Sequence, residues 1–459
     1  MKTDVVVIGA GPAGLFAARE LALRSKLRIL VVDRGYNVGK RVCPINTYKM
    51  CSMCSPCHIL CGAGGAGTLS SGLLNLRPDI GGNLVELLGS KKRAWDAVRY
   101  VDAAFVEYGA PKKIYEPKDS EAKALERKAA SAGVRFLPIP QRMIGTDNAP
   151  RVIENFIADL KGRGVRFLFN KKVERIGPGT VGLAGNSSIN CRYIIAAPGR
   201  VGASWLAGEA KRLGIQAHYS PIDIGVRVEV PSIIMESICE TSLDPKFHVH
   251  TRTYDDFVRT FCTNHHGFVV QEVYDGFVGV NGHTFARKKS ENTNFALLVR
   301  VELTHPLENT TLYGETIATQ MTTLGGGKPL IQRLGDLAGG RRSTWDRIKK
   351  SLLDPTLMSV TPGDIAMGMP HRIVSDIMEG LERLDKVISG VASSSTLLYA
   401  PEVKFSASLL KVDRDLQTTI DNIFVAGDGA GLSGGLVQAA ATGIIAARGI
   451  LKREGRTLD

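Results

Sequence analysis

The chain has 459 residues, 50 of them glycine, with 44% apolar and 22% charged residues and a mean hydropathy of +0.01. This excludes a disordered, fibrous or membrane-embedded polypeptide and leaves room for about three domains, or for one glycine-rich α/β core carrying a large insertion. The net charge of +13 would suit nucleic acid, an anionic membrane face or small anions, but the basic residues come in short scattered clusters such as Lys91-Lys92-Arg93 and Lys349-Lys350, the pattern of a solvated surface.

The β-branched run Val5 to Ile8 leads into Gly9, Gly11 and Gly14, which open an Ala/Leu-rich helical pattern from Pro12 to Arg24. The strand Arg28 to Asp33 follows, with Asp33 at its end. In such a unit the first glycine allows the turn, the second admits a pyrophosphate and the third lets helix and strand pack closely. The acid at the end of the second strand accepts hydrogen bonds from ribose hydroxyls. A dinucleotide site is expected here. Because the segment is needed as a strand, Met1-Lys2 and the apolar run after it are not read as a signal peptide. The longest uncharged stretch, Gly431 to Ala447, is short and broken by glycines, so no transmembrane helix is expected and a cytoplasmic location is the default.

Cys43, Cys51, Cys54, Cys57 and Cys61 precede a second glycine run, Gly62 to Gly67. No strand leads into it, which predicts a loop passing close to a bound ring system. Helices are expected over about 82–108 and 120–132, and an amphipathic one from Asn148 to Gly164. Strands are expected at Val165 to Phe169, Val173 to Ile176, Val181 to Leu183 and from Tyr193 into Pro198-Gly199. From Asp223 the pattern changes to alternation, as in Val226-Arg227-Val228-Glu229-Val230, predicting antiparallel strands with one solvated face. Helices are expected within this part at Thr310 to Thr323, Gly340 to Leu353 and Ser375 to Leu384. The chain then returns through Ile423-Phe424-Val425-Ala426-Gly427-Asp428, which puts Asp428 at the carboxyl end of a parallel strand, and closes with a helix from Leu436 to Lys452.

The two ends together, the Gly9 to Gly14 motif with Asp33 and the Thr418 to Asp428 segment, resemble the two-part FAD site of the glutathione-reductase-like flavoproteins. Arg41 to Pro44, the cysteine run, Gly62 to Gly72, Gln141 to Asp147, Asp223 to Arg227, Arg259 to Cys262, Glu291 to Asn294 and Gly427 to Gly431 resemble the FAD-dependent dehydrogenase family, related in outline to the geranylgeranyl reductases. That family tends to carry Ser-Asp-Gly where this chain has Ser70-Ser71-Gly72. The resemblance implies an α/β fold: a Rossmann-like FAD-binding domain (1–80, 150–220 and 400–459), a helical insertion (81–149) and an inserted antiparallel-sheet α+β substrate domain (221–399). The candidate cofactor residues are Gly9, Gly11, Pro12, Ala13, Gly14, Asp33, Arg34, Arg41, Gly64, Gly65, Ala66, Gly67, Val173, Pro198, Gly199, Gly427, Asp428, Gly434, Gly435 and Leu436.

The order C-x2-C-x2-C-x3-C from Cys51 to Cys61 has the spacing of a ferredoxin ligand run. Cys43 and His58 could instead complete a tetrahedral zinc site, or the cysteines of that run could exchange thiol and disulfide with the flavin or line a loop as plain thiols. Cys262, Arg259 and Arg227 are the candidate catalytic residues, the arginines for an anionic substrate or nucleotide. The expected activity is an FAD-dependent oxidoreductase acting on a small molecule, with NAD(P)H or a ferredoxin-like carrier protein as donor. Rival readings are a flavin-dependent RNA-modifying enzyme and a non-catalytic flavin and cysteine redox sensor.

Overall fold

Runs of β-branched residues with no polar alternation belong in parallel strands covered on both faces, and Val5–Ile8, Ile29–Val32, Tyr193–Ala196 and Ile423–Val425 are buried throughout. The computed structural model describes residues 3–43, 54–69, 72–274, 276–285, 288–305, 308–405 and 407–456. It divides into two compact units: Met1–Ile114, Gln141–Ser220 and Ser406–Asp459 form the first, Tyr115–Pro140 and Pro221–Phe405 the second.

The core of the first unit is a parallel sheet in the order Ile423–Val425, Tyr193–Ala196, Val5–Ile8, Ile29–Val32, Arg166–Leu168. Val5, Val7, Ile29, Val31 and Ile195 join one apolar cluster with the helices Pro12–Arg24, Lys91–Glu107, Ala149–Gly162 and Leu436–Arg453. Val6, Ile8, Leu30 and Val32 join a second cluster on the other face, with the three-stranded antiparallel sheet Val173–Gly177, Thr180–Leu183, Ser187–Asn190 and the helix Ala203–Arg212. The first and last helices touch backbone to backbone, because Gly443 has no Cβ to overlap the carbonyl of Ala13.

The second unit is built on an eight-stranded sheet in the order Thr361–Pro362, Leu330–Arg333, Leu397–Lys404, Ile222–Pro231, Asn292–Val301, Phe257–Asn264, Lys246–His250, Val134–Leu137. All neighbours are antiparallel except the first pair. Ile222, Ile224, Val226, Val228 and Val230 pack into one core with residues of the helices Ser232–Thr241, Thr310–Leu324 and His371–Asp385.

Three expectations need correction. The expected helical insertion is divided: Val134–Leu137 pairs with Lys246–His250, so Tyr115–Pro140 belongs to the second unit. Over Gly340 to Leu353 only Trp345–Ile348 is α-helical; Gly339-Gly340 and the charged segment after them supply no apolar stripe to stabilise a longer helix. The alternation at Val226 to Val230 does not mark a solvated face, since Arg227 and Glu229 are each 0% exposed. Among the described residues no helix is long and apolar enough to cross a membrane.

Candidate functional site

The three glycines of the first motif serve different ends. Gly9 (φ +104°) is left-handed, and a Cβ on it would overlap the carbonyl of Ala197. A Cβ on Gly14 would overlap the carbonyl oxygen of Gly9 and lie 3.2 Å from Val7 Cγ1. Both are demanded by the protein's own packing. Gly11 is not: its φ of −76° suits any residue, and the nearest heavy atom to an added Cβ is Gly65 Cα at 3.8 Å. Gly11 caps the Pro12–Arg24 helix, whose N-terminus has no side-chain cap and no acidic residue in its first turn. Its orphan N–H groups, those of Ala13 and Gly14 among them, are donors suited to a phosphate.

Asp33 is oriented by two backbone donors: Ala10 N–H to Oδ2 and Gly35 N–H to Oδ1, both 2.7 Å. Burial raises its pKa, against those hydrogen bonds and the nearby charges of Arg41 and Arg34. The remaining lone pairs of the carboxyl are the acceptors a ribose would use. Arg34 is half-buried. Arg41 turns to the loop: its guanidinium donates to the carbonyls of His58 (2.9 Å), Ile59 (2.8 Å) and Ala63. Burial pulls it down to about 10.

The second glycine run crosses the first. Gly64 N–H donates to Ala10 O (2.7 Å), Gly64 and Gly65 are left-handed, and a Cβ on Gly65 would sit 3.2 Å from Gly11 Cα. Ala66 is exposed, and a Cβ on Gly67 would overlap the Leu436 side chain. Pro12, Gly64, Gly67 and Leu436 line one apolar pocket with Leu15 and Phe16. The two distant ends of the chain therefore meet. Gly427 (φ +77°) lies against Ala13, an added Cβ being 3.0 Å from the alanine's own, and its N–H donates to Thr442 Oγ1 (2.9 Å). Asp428 accepts from Ser433 Oγ (2.5 Å) and Arg200 Nε (3.1 Å). Pro198 and Gly199 pack on Gly429. The Leu436–Arg453 helix begins at Gly435 with no side-chain cap, and Gly434 N–H donates to Gly81 O (2.7 Å). Val173 is buried under the sheet.

Sequence reasoning missed Gly35, Arg200, Ser433 and Thr442. The signal for Gly35 was its place two residues after Asp33, where a side-chain carboxylate commonly takes a backbone N–H.

In the second unit Arg227 lies on Ile222–Pro231 and Arg259 and Cys262 lie on Phe257–Asn264, with Asn292–Val301 between the two strands. Arg227 is fully buried and donates to Cys262 O (2.8 Å), Asn281 Oδ1 (2.8 Å) and Glu402 Oε1 (2.7 Å). Those bonds hold a register shift between Phe261 and Asn264 in which Cys262 adopts φ +50°, an uncommon conformation for a side-chain-bearing residue. Arg227 is thus a positioning residue. Arg259 pairs with Asp223 (Nε to Oδ2, 2.9 Å). Sequence reasoning also missed Glu402, which takes Arg227 and Lys404 (2.8 Å) together.

For the thiols, Cys51 lies outside the described residues, and Ser70 and Ser71 do too. Among the described residues no group of three or more His, Cys, Asp or Glu side chains could hold a metal ion, so Cys54, Cys57 and Cys61 do not by themselves form the expected site. His58 stacks on Tyr36 (5.2 Å) and its Nδ1 accepts from Val42 N–H (3.2 Å). Burial pushes the Cys61 thiol up to about 11.

Residues 221–405 match the family model described as FAD-dependent protein, C-terminal domain-like, and residues 7–54 match that of the NAD(P)-binding Rossmann-like domain. The chain is similar to an uncharacterized protein of Clostridium beijerinckii, 26% identical over 481 aligned residues that cover 99% of this chain and 81% of the relative. Among solved structures it is similar to glycine oxidase from Geobacillus kaustophilus and L-proline dehydrogenase from P. horikoshii. Each has TM-score 0.41 and 13% identity, and the alignments cover 99% of this chain and 95% and 94% of theirs. With the parallel sheet and its glycine motif, the two family matches define the class: a C-terminal domain like that of FAD-dependent proteins joined to a Rossmann-like dinucleotide-binding segment.

Proposed function

We propose that this protein is an FAD-dependent oxidoreductase, a reductase or dehydrogenase of the glutathione-reductase-like flavoproteins. In this reading FAD lies along the Gly9 to Gly14 turn, the Gly62 to Gly67 loop and the Gly427 to Leu436 segment, and the 221–405 domain carries a small-molecule substrate. FAD, when bound, supplies an acceptor and donor of hydride or of single electrons.

The protein's part is binding and electrostatics. The uncapped N-terminus of the Pro12–Arg24 helix would take the pyrophosphate, Asp33 the ribose, and the Asp428 segment the ribityl region. The N-terminus of the Leu436–Arg453 helix would favour negative charge on the reduced ring. The donor is NAD(P)H binding transiently or a ferredoxin-like carrier, since the sequence has no second strand, GxGxxG and helix unit for a resident nicotinamide.

Gly11 carries the cofactor reading. It is a glycine that neither its φ nor its neighbours require, on the turn where a ligand's phosphates would approach. Purification should give a yellow protein whose flavin spectrum bleaches anaerobically with NADH, NADPH or a reduced ferredoxin. A colourless protein that refuses added FAD sinks the reading; a yellow one that none of the three donors reduces sinks the choice of donors.

A further inference from the structure

The face of the eight-stranded sheet opposite the three helices gathers charge. On Ile222–Pro231 the even-numbered residues Ile222 to Val230 fill the helix-side core, and Asp223, Gly225, Arg227 and Glu229 point the other way. Phe261, half-buried on Phe257–Asn264, is ringed by cations: Lys246 Nζ is 4.9 Å from the ring centroid, Arg259 Cζ 5.1 Å and Lys404 Nζ 5.9 Å. Arg300 Cζ lies over the neighbouring Phe257 ring at 4.8 Å and reaches the same Asp223 that Arg259 holds.

The charges do not balance. Among the described residues four largely buried cations, Arg227, Lys246, Arg259 and Lys404, share three carboxylates, Asp223, Asp244 and Glu402, leaving an excess of one buried positive charge. Arg300, 39% exposed, adds a second at Asp223, and Glu229, whose charge burial disfavours, is bonded to Thr356 and Tyr399 instead. The excess is sheltered: the side chains of Lys246, Lys404 and Arg259 are 7%, 10% and 24% exposed. Sheltered charge in excess of its counter-ions is costly, and groups this far from water are normally matched. His248, on the strand beside them, responds to the field: burial first, then Arg259, Arg135, Arg300 and Lys246, hold it down to about 4.

We propose that the Phe261 cluster is the binding site for a small organic carboxylate with a flat apolar body, the substrate class of the oxidoreductase reaction. The ammonium groups of Lys246 and Lys404 and the Arg259 guanidinium take the carboxylate oxygens, and the Phe261 ring packs on the apolar part. One buried and one partly exposed surplus charge fit a dicarboxylate better than a monocarboxylate. The role in turnover rests on the function proposed above; the binding does not.

The test is calorimetric titration of the FAD-loaded protein with phthalate, benzoate, inorganic phosphate and the neutral analogue benzamide. Phthalate should bind saturably and more tightly than benzoate, and benzamide and phosphate should bind weakly or not at all. Lys404→Gln and Lys246→Gln should each weaken phthalate about tenfold, the loss of one charge-assisted contact. Lys404→Arg should retain most of the affinity, which separates lost charge from lost fold. Absence of saturable phthalate binding, phosphate binding as tightly as phthalate, or glutamine variants that bind like the parent would each overturn the proposal. A yellow protein that ignores carboxylates refutes this inference and leaves the proposed function standing; a protein that refuses FAD refutes that function, and titrating it without FAD still tests the site.

Discussion

Substituting alanine at Gly11 and at Gly14 separates a glycine kept for a ligand from one kept for packing. At Gly11, φ is −76° and an added Cβ meets nothing closer than 3.8 Å. Alanine there is a poorer N-cap, a loss of about 1 kcal/mol, but it stiffens the unfolded chain, a gain of about 0.4–1 kcal/mol. The two nearly cancel, so the FAD-free protein should unfold within about 1 kcal/mol of the parent. In the proposed reading the methyl group would stand where the pyrophosphate comes against the backbone. Losing one charge-assisted hydrogen bond costs about 1.5–3 kcal/mol, which weakens FAD about ten- to hundredfold. At Gly14 the order reverses, because the Cβ overlaps Gly9 O and presses Gly9 C (3.0 Å) and Val7 Cγ1 (3.2 Å). Overpacking of that kind costs about 1–3 kcal/mol or more before any ligand is added. Urea unfolding without FAD, and flavin fluorescence titration of the folded proteins, read the two effects separately. If Gly11→Ala destabilises the FAD-free protein as much as Gly14→Ala, or binds FAD as tightly as the parent, the assignment of Gly11 to the cofactor is wrong.

Arg227→Ala leaves the fully buried Glu402 with only Lys404 and should cost about 3–5 kcal/mol in urea unfolding; adding Glu402→Gln should restore part of that, and a loss under about 1 kcal/mol would show the pair to be incidental. Asp376 is 0% exposed and, by burial first and then by the neighbouring Asp256 carboxylate, is pushed up to about 6. Its folded pKa is above its unfolded one, so its contribution is fully present below about pH 4 and is lost as pH rises through 6. The shift corresponds to about 3 kcal/mol. Asp376→Asn should therefore gain that much over the parent at neutral pH and little at pH 4; a gain independent of pH between 4 and 7 would contradict burial of an ionising carboxyl as its cause. Cys61, Cys191 and Cys239, pushed up by burial to about 11, about 11 and about 12, should be alkylated by iodoacetamide later than Cys54, Cys57 and Cys262 in the native protein, as peptide mass mapping would register; early labelling of the buried Cys61 or Cys239 would mean that the loop or helix around it opens.

The sequence makes the nucleotide-binding half readable because there each local rule agrees with the tertiary need. A strand covered on both faces must be apolar throughout, so Val5 to Ile8 shows its place without a partner in view. The helix that follows it begins and ends where the pattern puts it, at Pro12 and Arg24. The second unit hides more. A strand written Val-Arg-Val-Glu-Val has the period of a half-solvated sheet, yet Arg227 and Glu229 are buried because their partners, Glu402 and Tyr399, come from a strand about 170 residues on. No spacing rule reaches that far. The split of the helical insertion is hidden for the same reason: Val134–Leu137 is a short edge strand whose pairing with Lys246–His250 is a contact between distant segments.

The buried charges of the second unit bear on function because stability gives no reason to keep them. Replacing a buried ion pair with apolar residues of similar volume is often neutral or stabilising, whereas breaking one is costly. The Arg227 and Glu402 pair is imperfect even as an ion pair, since Arg227 Nε, Glu402 Oε2, Asn294 Nδ2 and Thr263 Oγ1 are buried without hydrogen-bond partners among the described residues. A sheet that needed only to fold would do better with leucines at these positions. What the pair does is hold the backbone: its arginine carries the carbonyl of Cys262 at a left-handed position, at the register shift that begins at Phe261. Strain and unpaired polar atoms gather more often at sites than in scaffolds, and the register shift held here begins at Phe261, the ring that Lys246, Arg259 and Lys404 surround and the place of the proposed ligand.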